Sequence, residues 1–247
     1  MRVAALYDIH SNLPALEAVI QDVRREQVDL LVIGGDVVPG SMPRETLDYL
    51  FNLDIPKQFI HGNGEDAVLA DIAGIETGTV PAQFRSALHW VAQQIQPDSV
   101  AWLASWPLTL QLEIAGLGKV LFCHATPRSD DEIFTKLTSD SLLAPIFDGL
   151  DVAVVVCGHT HMQFDRRARN VRIVNAGSVG APYGKATACW LLLGLDVQLR
   201  HTAYDLEKAA GRIRNTGYPL AQSDARNILT PPPESEMLEI LSRAELK

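Results

Sequence analysis

The sequence predicts an α/β protein in which two β-sheets pack together and helices cover their outer faces. In the first half, short continuous apolar runs alternate with amphipathic stretches at helical spacing, a βαβαβ reading, while the second half is mostly further apolar runs. A chain of 247 residues, 47% hydrophobic and 21% charged, can bury such a double layer and is neither disordered nor fibrous in composition. No linker separates independent units. One domain over residues 1–247 is therefore expected, with a C-terminal helical extension over about 205–247.

The elements follow in order. Val3–Tyr7 is uninterrupted and apolar, as in a strand buried on both faces. Ser11 or Asn12 can cap a helix with Pro14 in its first turn, where Leu16, Val19, Ile20 and Val23 share one face and Asp22, Arg24 and Arg25 fall off it. Leu30–Ile33 and Lys57–Ile60 read as strands, with a helix over Pro43–Leu53 between them. Pro81 opens a helix with Phe84, Leu88, Val91 and Ile95 on its apolar stripe, and a shorter helix spans Asp98–Pro107. Leu108–Ile114 and Lys119–Cys123 form a hairpin around Gly116-Leu117-Gly118. Val152–Cys157, Met162–Arg166, Val171–Val174, Ala186–Leu193 and Val197–Ala203 are the remaining strands. A helix starts at Asp205, and Pro231-Pro232-Pro233 precedes a last short helix at Met237–Leu241.

Composition removes several function classes. The apolar runs, such as 188–193, fall short of the roughly 18 residues that span a bilayer, so no membrane segment is expected. The N-terminus lacks the basic, apolar and small-residue pattern of a secretory signal. Cys123, Cys157 and Cys189 form no CxxC pair and read as buried, reduced thiols of a cytoplasmic protein. With 21 Lys and Arg against 30 Asp and Glu, the net charge of −9 repels a nucleic-acid backbone and disfavours a duplex partner. A local positive pocket would need another source of charge, and a bound metal is the obvious one.

Five apolar runs lead into metal-competent residues. Val3–Tyr7 leads to Asp8 and His10, Leu30–Ile33 to Asp36, Gln58–Ile60 to His61 and Asn63, Val120–Cys123 to His124, and Val152–Cys157 to His159 and His161. One Asp after a strand is ordinarily a turn or cap, and His-x-His shares a face in any extended segment. Five such endings are hard to attribute to caps. In α/β sheets, ligands bind beyond the carboxyl ends of strands.

The series Asp8-Ile9-His10, Gly34-Gly35-Asp36, Gly62-Asn63, His124 and Gly158-His159-Thr160-His161 resembles the calcineurin-like metallophosphoesterase superfamily over roughly residues 1–195. Asn175-Ala176-Gly177-Ser178-Val179-Gly180 resembles the Asn-Pro-Gly-Ser turn of its small prokaryotic phosphodiesterase and phosphatase branch. The resemblance implies a four-layer α/β/β/α sandwich, two mixed sheets flanked by helices, around two divalent metal ions. It implies Asp8, His10 and His161 on one ion, Asn63, His124 and His159 on the other, and Asp36 bridging both. Two dications outweigh two carboxylates and a hydroxide, so the pocket is cationic inside an acidic protein. The nitrogen and oxygen donors favour Mn or Fe, and also suit Zn, Co or Ni. The implied activity is hydrolysis of a phosphomonoester, phosphodiester or nucleotide by in-line attack of a hydroxide bridging the ions. A dinucleoside polyphosphate hydrolase or nuclease, and a non-catalytic scaffold such as the retromer subunit of this fold, are the alternatives. Homo-oligomerisation stays open.

The sequence departs from the family at Gly64, where many members carry the His assigned to leaving-group protonation. His61 either substitutes as the acid or is structural. Arg128 either forks onto a phosphate or answers Asp130 and Asp131 at the surface. Ser178 reads as a turn residue lining the site, and Tyr183 and Lys185 as candidate pocket residues. His89 reads as solvated and His201 as structural, while Trp90, Trp102, Trp106 and Trp190 read as packing residues.

Overall fold

The computed structural model describes residues 1–75 and 80–246. Two five-stranded mixed sheets pack face to face. The first contains β1 (Val3–Leu6), β2 (Leu30–Ile33), β3 (Lys57–Phe59), β9 (Ala188–Leu193) and β10 (Val197–Thr202), in the order β10-β9-β1-β2-β3. The second contains β4 (Thr109–Ile114), β5 (Gly118–Cys123), β6 (Val154–Cys157), β7 (Phe164–Ala168) and β8 (Val171–Asn175), in the order β4-β5-β6-β8-β7. Strands β1, β2 and β3 are parallel, as are β5, β6 and β8. Antiparallel strands complete the β10 edge of the first sheet and both edges of the second.

Strand alternation partitions the core. Val3, Ala5 and Tyr7 face the second sheet and pack with Val32, Val120, Phe122, Val156 and Leu191. Ala4 and Leu6 face outward, into helices α1 (Leu13–Arg25), α2 (Pro43–Asn52), α4 (Ala82–Gln94), α5 (Pro97–Ala104), α7 (Leu206–Arg214) and α8 (Ala221–Leu229). Beyond the second sheet, α6 (Asp140–Phe147) contributes Leu143, Ile146 and Phe147 to a smaller core. The expected order of layers is therefore present. No helix among the described residues is long and apolar enough to cross a membrane. All three cysteines are buried and free.

Local reading and structure differ in places. Asn12, not Ser11, caps α1, its side chain accepting from the Ala15 amide at 3.2 Å. The strand expected at Met162–Arg166 is β7, two residues later, because the loop carrying His159 and His161 occupies the intervening chain. Three helices lack a clear sequence signal. The helix α3 (Asn63–Ile72) begins inside the Gly62-Asn63 motif, α6 contains Pro145, and α8 turns only Ala221, Ala225 and Ile228 inward. Phe84 departs from the apolar stripe of α4. Leu88, Val91 and Ile95 are buried, but Phe84 is 45% exposed.

Candidate metal centre

The carboxyl ends of β1, β2, β5 and β6 meet at one rim, where the chain turns sharply at each motif. Asp8, His10, Asp36, His159 and His161 all have left-handed backbones, with φ between 45° and 65°. Such angles are uncommon for residues with a Cβ, and their concentration here marks a strained, functional cluster. Interstrand bonds hold the turns. His10 N–H donates to Asp36 O at 2.9 Å, and Gly158 N–H to His124 O at 2.8 Å. The Ser178 hydroxyl donates to Asp8 O and accepts from Ala181 N–H, both at 2.7 Å. Ser178 is fully buried, a turn-locking residue. Asn175 braces the histidine loop by donating to Gly158 O at 2.6 Å.

Within this frame Asp8, His10 and His161 place ligand-type atoms close together, as do Asp8, Asp36 and His124. Asp8 Oδ1 is 3.3 Å from His161 Nε2 and 3.8 Å from His124 Nε2. Asp36 reaches both sides, with Oδ2 3.7 Å from His10 Nε2 and Oδ1 3.5 Å from His124 Nε2. His159 and Asn63 stand in the cavity wall beside Asp36 and His10. The structure thus brings all seven residues to one rim. It differs from the expected partition in giving Asp8, as well as Asp36, a central place.

Hydrogen bonds settle which imidazole nitrogens face inward. His124 Nδ1–H donates to Gly34 O at 2.9 Å and His161 Nδ1–H to Ala181 O at 2.7 Å. A carbonyl only accepts, so in the neutral ring each Nε2 keeps its lone pair toward the carboxylates. His10 Nδ1 likewise approaches Pro39 O at 3.3 Å, and its Nε2 lies 3.1 Å from His161 Nε2. Two neutral nitrogens with facing lone pairs repel at that distance unless a cation shares them. Asp8 Oδ1, Asn63 Oδ1 and His124 Nε2 are, besides, buried without a hydrogen-bond partner. Orphaned acceptors cost about 1–3 kcal/mol each. A carboxylate oxygen, an amide oxygen and an imidazole nitrogen, none of the three satisfied by protein, suit divalent cations.

The electrostatics agree. Burial would raise Asp8, but the imidazole of His161 and the other histidines hold it below the usual carboxylate range. Burial would depress His124, yet the carboxylates of Asp36 and Asp8 push it up to about 9. His159 is drawn down to about 4 by burial and then by His124. The cluster demands positive charge, supplied by protons or by metal.

Two features escape sequence reasoning. Glu65, fully buried, accepts from the backbone N–H groups of Asp36, Val38 and Gly62 at 2.8–3.1 Å and so ties the loops after β2 and β3 together. Burial and the nearby Asp36 push it up to about 8. The glutamate three residues after Gly62 in a capping-box pattern is the sequence signal. The second is Asp130, pushed up to about 6 by burial and by its hydrogen bond with Asp66. His61, Asp66 and Asp130 form a separate cluster. His61 is buried, its Nε2 3.4 Å from Asp66 Oδ1, and Asp66 and Asp130, unlike His61, line the cavity. Gly64 is sterically required. A Cβ there would lie 2.3 Å from Val38 O, and its N–H donates to Asp36 Oδ1 at 2.7 Å. No histidine fits at this position without moving the backbone.

The other candidates fall out as follows. Tyr183 stacks on His161 with ring centroids 5.2 Å apart and lines a cavity beside it. Arg128 pairs with Glu132 and is about half-exposed, outside both cavities that reach the histidines. The acidic partner is Glu132, not Asp130 or Asp131. Lys185 is exposed and lines neither cavity. His89 is exposed and paired with Asp71 at 2.9 Å, and His201 lies on β10 beside Cys189.

Residues 1–198 match the sequence profile of the calcineurin-like phosphoesterase superfamily domain. The chain belongs to this superfamily. An uncharacterized protein of Methanocaldococcus jannaschii is 28% identical over 232 residues, covering 85% of this chain and 91% of that one. The crystal structure of a metallophosphoesterase from Sphaerobacter thermophilus is 25% identical, with a TM-score of 0.73 over 94% of this chain and 99% of that one. A hypothetical protein from Pyrococcus horikoshii shares the fold at 20% identity, with a TM-score of 0.79 and the same coverages.

Proposed function

We propose that this member of the superfamily is a metal-dependent phosphoesterase acting on a small phosphate ester. The orphaned, inward-facing donors Asp8 Oδ1, Asn63 Oδ1 and His124 Nε2 carry the reading. Asp8, His10 and His161 would hold one divalent ion and Asp36, Asn63, His124 and His159 the other, with Asp8 and Asp36 each reaching toward both. Such ions supply charge for binding the phosphate and lower the pKa of bound water, with Mn or Fe favoured by the donor set.

The chain's own residues do the rest. The carbonyls of Gly34 and Ala181 fix His124 and His161 by their Nδ1–H groups, which keeps both Nε2 atoms directed at the site. Glu65 holds Asp36 and Gly62 at a set separation through three backbone N–H groups. The Asp130 carboxyl, raised to about 6 by burial and by Asp66, carries a proton at the wall of a cavity of about 930 Å³, with Asp66 beside it and His61 behind. That cluster takes the place of the histidine that Gly64 excludes, and gives the proton to the departing alkoxide. The acidic wall of Asp66, Asp130 and Asp131 argues for a small substrate over duplex nucleic acid.

Hydrolysis of bis-p-nitrophenyl phosphate by the Mn-reconstituted protein tests this, with His161→Ala as control. Absence of metal-dependent turnover by the wild type overturns the reading. For the acid, His61→Ala and Asp130→Asn should slow alkyl esters by about ten-fold more than nitrophenyl esters, because nitrophenolate leaves without a proton. Equal losses would remove the cluster from that role.

A further inference from the structure

The rim opens into a second cavity beside the metal cluster. It has a volume of about 350 Å³, within the range of small-molecule sites, and one of its walls is made by His10 and His161. The facing wall comes from Tyr218, Asp224, Asn227 and Ile228, all on or next to α8. These residues lie beyond residue 198, outside the part of the chain matched to the superfamily. The phosphate-handling end is thus a family property, and the opposite wall belongs to the extension.

Three features of this cavity point to one kind of ligand. Phe84, at the first turn of α4, stands 45% exposed where its helix would otherwise bury it. Phe84, Tyr218, His10 and Pro39 line both this cavity and the larger one, so the two are continuous past the aromatic rings. An exposed aromatic face at a cavity mouth suits a stacked planar group. Asp224 is half-buried, and burial alone pushes its carboxyl up to about 6. Its side chain has no hydrogen bond or ion pair among the described residues, so an acceptor is retained against its desolvation cost. Asn227 adds a donor and an acceptor at the edge.

We propose that this cavity takes the base of a nucleoside phosphate ester, with Phe84 and Tyr218 against its faces and Asp224 accepting from an exocyclic amino group. The substrate class is then a nucleotide of adenine, guanine or cytosine, and uracil, which has no amino group, is discriminated against. The proposal rests on the phosphoesterase reading for the fate of the phosphate, but the base site exists without it.

The test separates the two. Metal-free protein is titrated calorimetrically with cytidine and with uridine. Cytidine should bind about ten-fold tighter, the worth of one hydrogen bond to a carboxylate. Asp224→Asn, nearly isosteric, should erase that preference, because its neutral amide can either accept from the amino group of cytosine or donate to the carbonyl of uracil. Phe84→Ala, at an exposed position, should weaken both nucleosides by about ten-fold through lost stacking. In the metal-loaded enzyme, the kcat/KM ratio for the p-nitrophenyl esters of cytidine and uridine 5′-phosphate should be about ten and fall to near one in Asp224→Asn. Nucleoside binding with this pattern, but no turnover of any ester, supports the base site and overturns the phosphoesterase reading. Turnover of esters with equal binding of cytidine and uridine, unaffected by Asp224→Asn, overturns the base site and leaves the phosphoesterase reading intact.

Discussion

At the carboxyl ends of β1, β2, β5 and β6, positive-φ residues are tied to one another by short backbone bonds and by Glu65, Ser178 and Asn175, each fully or almost fully buried. Across the cavity, α7 and α8 lie on small side chains, Ala209, Ala210, Ala221 and Ala225, with Arg212 paired to Glu17 of α1 at 2.6 Å. One wall holds charged atoms in place through many hydrogen-bond partners. The other presents an unpaired carboxylate and aromatic faces from helices that few polar bonds constrain. Chemistry that must position ions needs the first kind of wall, and selection among organic groups needs only the second.

Substitutions on the two sides should therefore differ in kind. Asp36→Asn, at the centre of the cluster, should lower kcat for bis-p-nitrophenyl phosphate by on the order of 10³-fold in excess Mn while far-UV circular dichroism stays native. A loss of less than ten-fold would show that Asp36 does not organise the site. Glu65→Gln should weaken metal binding by roughly 10–100-fold, since its amide would turn N–H groups toward backbone N–H donors. Metal titration followed by calorimetry measures this. Chelation of metal from the loaded protein should lower Tm by roughly 5–10 °C, from about 2.7 kcal/mol of linkage at a hundred-fold excess over Kd. An unchanged Tm would mean that the rim binds no ion tightly.

The smallest effect belongs to the helical wall and has the opposite sign. Asp224 is raised to about 6 in the folded state, above the usual carboxylate value. Its contribution to stability is therefore full below the unfolded value near 4 and is lost as pH rises through about 6. Asp224→Asn should stabilise the protein by about 1–3 kcal/mol at pH 8 and by nearly nothing at pH 4. Urea unfolding at the two pH values checks it. A stability cost retained at neutral pH is what a binding group shows and a packing group does not.

Much of this molecule was legible in its sequence. Apolar runs located the inner strands β1, β2, β6 and β9, because a strand buried on both faces needs an unbroken apolar sequence. Asp8, Asp36, His124, His159 and His161 stood out because each closes such a run. The helices α3, α6 and α8 were not legible. Tertiary packing, not local propensity, holds a helix that starts in a glycine motif, contains Pro145 or buries only two alanines and an isoleucine. Phe84 misled for a related reason, since helical spacing assigns a face but not the point at which the core ends.

Residue order alone determined the two-sheet architecture and the arrival of seven polar side chains at strand ends, since hydrophobic periodicity specifies where a chain is buried and where it emerges. Only the tertiary structure decided which nitrogens turn inward, why no side chain fits at Gly64, and that Phe84 and Asp224 share a cavity. Those outcomes depend on distances between segments remote in the chain, and such distances are set by packing whole layers against each other.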